Sequence, residues 1–139
     1  MAAGEKTVLI TGAARGIGLA TVRRFLDEGW NVVGIDNRGD ELLQAFADLK
    51  SNRARPLVCD VAYPDQVTDN VAQAVTLFGG LNALVNNAGI ADFAAAADHD
   101  YALWRQVMAT NLDGPFLMTQ AIVPHLRQQG GGAIVNITS

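Results

Sequence analysis

The sequence predicts an α/β domain, a parallel sheet with helices packed on both faces. Two observations predict it: apolar runs of strand length recur along the chain, and each is followed by a longer stretch whose apolar residues have helical spacing. The runs are apolar throughout rather than alternating, as suits strands covered on both faces. TVLITG (7–12) is the first strand, entering a glycine turn, and GIGLATVRRFLDEGW (16–30) the first helix, with Ile17, Ala20, Val22, Phe25 and Leu26 spaced along it and Gly29 at its end. NVVGID (31–36) is the next strand, DELLQAFADLK (40–50) an amphipathic helix, and RPLVCDV (55–61) the third strand. A helix follows over 64–79, with proline in its first turn and Gly79 near its end. LNALVNN (81–87) is a fourth strand, 101–129 a long bent helical segment, and AIVNI (133–137) a fifth strand. The irregular stretch DFAAAADHD (92–100) fits either a loop or a short helix.

With 139 residues and 50% hydrophobic content, the chain is expected to form one domain, residues 1–139, with a sizeable core. Its charged fraction of 17% is below the roughly 25% of soluble domains, so part of the surface is expected to be covered by more chain or by another subunit. A net charge of −4 without a basic cluster argues against a nucleic-acid partner. Cys59 is the only cysteine, so no intrachain disulfide forms, a reducing compartment fits, and a small buried hydrophobe is its expected role. His99 and His125 lack partners at ligand spacing, and no metal site is expected. No run of about 18 apolar residues and no leader pattern occurs, so a cytoplasmic protein without a membrane partner is expected.

The chemistry concentrates at TGAARGIG (11–18), between the first strand and the first helix. Gly12, Gly16 and Gly18 stand where a phosphate-binding turn needs residues without a Cβ: one to turn sharply, one to admit a pyrophosphate to backbone N–H groups, one to pack helix on strand. The spacing, G-x-x-x-G-x-G, departs from the general G-x-G-x-x-G fingerprint. Asp36 ends the second strand 18 positions after Gly18, near the spacing at which a carboxylate accepts both hydroxyls of an adenosine ribose. Arg15 and Arg38 pull the other way, since a guanidinium there could pair with a 2′-phosphate. The carboxylate at the strand tip outweighs them, so NAD is the expected cofactor, ahead of NADP.

With these residues in place, the chain resembles the N-terminal part of the short-chain dehydrogenase/reductase family. TGAARGIG matches its T-G-x-x-x-G-x-G motif, CDV (59–61) its adenine-contacting strand end, and NNAG (86–89) its signature after the fourth strand, while NL (111–112) and IVNITS (134–139) match two further landmarks. The resemblance implies a Rossmann-type doubly wound parallel sheet of order 3-2-1-4-5 for the strands present, the family's later strands lying outside this sequence. It places Gly12, Arg15, Gly16, Ile17 and Gly18 at the pyrophosphate and ribose, Asp36 at the adenosine ribose, and Asp60 with Val61 at the adenine edge. Asn87, Ala88 and Gly89 fall at the next part of the cofactor.

The same resemblance makes Ser139 the residue that hydrogen-bonds the oxygen of an alcohol or carbonyl substrate, and Asn111 the support of a proton relay through water. A backbone-bonding asparagine at a helix bend is the competing reading of Asn111. The family's acid/base is a tyrosine in Y-x-x-x-K, and Tyr101, followed at the fourth position by Arg105, does not match. A tyrosine of ordinary pKa about 10 needs a cationic neighbour to exchange protons near neutrality, so the 139 residues are expected to lack turnover alone and to stop within an active site. A non-catalytic dinucleotide-binding module is the alternative. The fifth strand is expected at an edge of the sheet, and the helical segment before it carries more apolar residues (Leu103, Val107, Phe116, Leu117, Ile122) than one sheet face consumes. The resemblance implies that the corresponding helix packs against a partner subunit, so a homo-oligomer of the full-length protein, and self-association of this chain alone, are the resulting expectations.

Overall fold

The computed structural model describes residues 5–138. Five parallel strands, β1 (Thr7–Thr11), β2 (Asn31–Asp36), β3 (Ala54–Val58), β4 (Ala83–Asn86) and β5 (Ala133–Asn136), form one sheet in the order β3-β2-β1-β4-β5. Between them lie helices α1 (Gly16–Asp27), α2 (Gly39–Leu49), α3 (Pro64–Leu77), α4 (Tyr101–Met108) and α5 (Gly114–Gln128). The expected strand order is the observed one. β1 sits between β2 and β4, so the connections leave it in opposite directions and a crevice opens at the carboxyl ends of β1 and β4.

The three central strands, β1, β2 and β4, are buried on both faces because each face has its own core. Val8, Ile10, Val32, Ala83 and Val85 point to one side, where Val22 and Leu26 of α1 and Leu42 and Phe46 of α2 cover them. Leu9, Val33, Ile35 and Leu84 point to the other, against Val67 and Val71 of α3 and Met118 and Ile122 of α5. Consecutive strand residues alternate between the two clusters, as the pleat requires. Met118 and Ile122 are fully buried, each worth about 1.5–3 kcal/mol by area.

Several boundaries differ from the sequence reading. α1 ends at Asp27 because Gly29 turns to φ +87° and its N–H bonds the Leu26 carbonyl, which releases Trp30 from the helix. β3 ends at Val58, so Cys59, Asp60 and Val61 form the turn beyond the strand rather than its end. Ile17 and Ala20 are exposed, and Gly18, Val22 and Leu26 form the buried face of α1 instead. Within 92–100 a single 3₁₀ turn spans Ala96–Asp98. The long helical segment is interrupted at Ala109–Asp113 by a π-turn, the source of its bend. β5 lies at the sheet edge, with Val135 49% and Ile137 44% exposed.

Candidate functional site

The crevice at the switch point is a cleft of about 290 Å³. Its floor is the turn after β1. Gly12 and Gly16 hold φ of +66° and +57°, the left-handed region that favours glycine, and space beside Gly16 is open for at least 4 Å. Gly18 is needed for a different reason: a Cβ there would collide with the Gly12 carbonyl oxygen and approach the Asn87 amide nitrogen to 2.7 Å. Arg15, at the N-cap of α1, gives no side-chain cap to the first-turn N–H groups.

One wall is held by Asp36. One carboxylate oxygen accepts from the Ala14 N–H at 3.1 Å and the other from the Arg38 N–H at 2.9 Å, so Asp36 ties the glycine turn to the start of α2. The Ala13 N–H adds a bond to the Ile35 carbonyl at 3.0 Å. The Arg38 guanidinium turns to Glu41, 3.4 Å away and half exposed, a weak pairing that still draws it toward α2. Beyond β3, the Asp60 carboxylate accepts from the Ala62 N–H at 3.0 Å, shaping the turn that brings Asp60 and Val61 to the rim. Cys59 is buried beside them, and burial, with a smaller contribution from the Asp60 charge, pushes its thiol up to about 11.

The opposite wall follows β4. The Asn87 side chain donates to the carbonyls of Thr11 and Gly12 at 3.2 and 3.3 Å. The Thr11 hydroxyl in turn accepts from the N–H groups of Asn87 (3.0 Å) and Ala88 (2.9 Å). Asn86, buried, donates across the sheet to Asn136 at 2.9 Å. Asn111 lies in the π-turn and clasps the backbone of Ile90, accepting from its N–H at 2.8 Å and donating to its carbonyl at 2.7 Å.

Of the residues singled out in the sequence, Gly12, Arg15, Gly16, Ile17, Asp36, Asp60, Val61, Asn87, Ala88 and Gly89 all line this cleft, and Gly18 packs directly beneath it. Asn111 is not itself in the lining but bonds Ile90, which is, and follows Thr110, which also lines the cleft. Ser139 lies outside the described residues. Sequence reasoning passed over Thr11, whose two acceptor bonds join strand ends 76 and 77 positions apart, together with Ile90 and Asn37 in the walls. Only the T before the first glycine signalled Thr11. Ile17, read partly as a core residue, is 65% exposed at the mouth of the cleft.

A parallel sheet whose order reverses at β1, with a glycine turn and an open helix N-terminus at that switch point, defines a Rossmann-type α/β protein. The short chain dehydrogenase family model matches residues 6–139. The chain is 40% identical over 134 residues to the 3-alpha-(or 20-beta)-hydroxysteroid dehydrogenase of Mycobacterium tuberculosis, covering 96% of this chain and 51% of that protein. It is 37% identical to the short-chain reductase protein NovJ of Streptomyces niveus, covering 97% and 52%. A crystal structure of a 3-ketoacyl-(acyl-carrier-protein) reductase from Brucella melitensis complexed with NADH superposes with a TM-score of 0.93 at 29% identity, over 96% of this chain and 57% of that one. The chain belongs to the short-chain dehydrogenase/reductase family. It spans about half the length of the curated relatives it matches.

Proposed function

We propose that the protein is a nicotinamide-dependent oxidoreductase that moves a hydride between its cofactor and an alcohol or carbonyl substrate, with NAD(H) preferred over NADP(H). The observation that carries this reading is the cleft itself, where an open glycine turn and a fixed carboxylate face one space at the switch point. The residues present fit a dinucleotide. Gly16 leaves room for a diphosphate beside the uncapped N-terminus of α1, whose dipole favours an anion. Each oxygen of Asp36 uses one acceptor site on backbone N–H, which leaves capacity for ribose hydroxyls. A 2′-phosphate at the same place would meet a like charge, and the guanidinium of Arg38, which lines that wall, is drawn toward Glu41. Asp60 and Val61 would bound the adenine and Asn87, Ala88 and Gly89 the stretch toward the nicotinamide.

When bound, the cofactor supplies the carbon that gives or takes the hydride. The residues of this chain hold it and hold the wall around it: Asn111 fixes Ile90, and in the family's pattern it also steadies a proton relay, while Ser139 bonds the substrate oxygen. Tyr63 and Tyr101 are followed at the fourth position by Val67 and Arg105, so neither offers the tyrosine–lysine pairing that the family uses for the proton. The 139 residues therefore bind cofactor without turnover. Trp104, Leu112 and Phe116, exposed along the bent helical segment, support a homo-oligomer of the complete protein. Calorimetric titration of the chain with NADH and NADPH tests the reading. NADH is expected to bind at least about tenfold more tightly, in line with one charge-assisted contact. Tighter binding of NADPH would overturn the preference, and no binding of either would overturn the assignment.

A further inference from the structure

Gly114 starts α5 and is buried, with φ −54° and ψ −57°, ordinary helical values that any residue adopts. Its backbone conformation does not call for glycine, and glycine is disfavoured in helices. What calls for it is space. A Cβ at this position would stand 2.7 Å from Cγ2 and 3.3 Å from Cβ of Val61, against an ordinary carbon contact of about 3.5–4.0 Å. Val61 cannot readily give way, because it is itself buried in the core while lining the cleft beyond β3. On its other side, the Gly114 N–H bonds the Ala109 carbonyl and closes the π-turn. That turn carries Asn111, which clasps both backbone groups of Ile90 in the wall beyond β4. A continuous run of contacts thus joins the two walls: Val61, Gly114, the π-turn, Asn111 and Ile90.

We propose that Gly114 is a positioning residue for the cleft, its missing Cβ seating the π-turn on Val61 and so holding the wall that Asn111 and Ile90 form. The functional consequence rests on the dinucleotide reading above; the structural one does not. The test uses Gly114→Ala, Val61→Ala and the double variant of the chain, with two measurements: hydrogen-exchange protection of the Ile90 amide, and NADH affinity by calorimetry. Gly114→Ala is expected to lower Ile90 protection roughly tenfold more than that of the core amides Ile10 and Leu84, and to weaken NADH about tenfold. Val61→Ala makes room for the added methyl, so the double variant is expected to regain Ile90 protection to within about threefold of the parent. A purely stabilising role for Gly114 would instead lower all three amides in step, and that result overturns the proposal. So does unchanged Ile90 protection in Gly114→Ala, or failure of Val61→Ala to rescue it. If Gly114→Ala alone does not fold, a folded double variant with parental Ile90 protection supports the proposal and an unfolded one overturns it. Failure of the parent chain to bind NADH would remove the dinucleotide reading while the exchange measurement still judges the brace.

Discussion

At the scale of single residues, Asp36 shows how one side chain carries two functions. Its carboxylate bridges the Ala14 and Arg38 N–H groups, so it shapes the turn before any ligand arrives, and the same charge sets the proposed cofactor preference. Asp36→Ala is therefore expected both to weaken NADH about tenfold or more and to lower unfolding free energy by about 1–3 kcal/mol, since two N–H groups lose a charged acceptor. Chemical denaturation beside calorimetry separates the two losses. A variant of parental stability would mean the two bonds are dispensable. Cys59 offers a pH test. Its folded pKa, about 11, is raised above the ordinary 9.0, so the unfolded chain gives up this proton first as pH rises. The stability it contributes is full below pH 9.0 and is lost between 9.0 and about 11. The difference in unfolding free energy between the parent and Cys59→Ala is expected to narrow across that window. A constant difference would show that the thiol ionises alike in both states.

At the scale of elements, β1, β2 and β4 were legible because a strand covered on both faces reads as a near-continuous apolar run. The ends were less legible. Arg53 illustrates why: its guanidinium donates to the Trp30 carbonyl at 3.0 Å and the Leu26 carbonyl at 3.1 Å, closing the C-terminal end of α1 from 27 residues away. Nothing local to α1 announces that partner. Arg53→Met, which keeps much of the apolar stem, is expected to cost about 1–3 kcal/mol in unfolding free energy, measured by chemical denaturation. An effect below about 0.5 kcal/mol, the range of ordinary surface substitutions, would mean water satisfies those carbonyls equally well. The π-turn was likewise hidden. The sequence from 101 to 129 reads as one bent helix, and the bond from the Gly114 N–H to the Ala109 carbonyl shows where the extra residue is accommodated.

At the scale of the whole molecule, two features leave apolar surface uncovered. Phe116 is 63% exposed on α5, and Val135 of β5 and Ile137 just after it are exposed at the sheet edge without the charge or proline that protects edges. The chain is expected to self-associate in a concentration-dependent way, with Phe116→Lys and Val135→Lys each shifting sedimentation toward the monomer. A chain that sediments as a monomer at every concentration would show that these surfaces tolerate water.

The α/β class, the glycine turn and the carboxylate facing it could be read from the residues alone, because strand-to-helix turns concentrate chemistry within short stretches whose side-chain requirements are local: no Cβ at Gly12 and Gly16, a carboxylate at the tip of β2. Resemblance to a family added the strand order and the rest of the lining, Asp60, Val61, Asn87, Ala88 and Gly89. How those stretches hold one another is settled by the packed sheet. Thr11 accepts from residues 76 and 77 positions away, Asp36 reaches back to Ala14, and Asn111 closes on Ile90. Each of these bonds depends on the distance between strand ends once the sheet has formed, and a linear pattern carries no such distance.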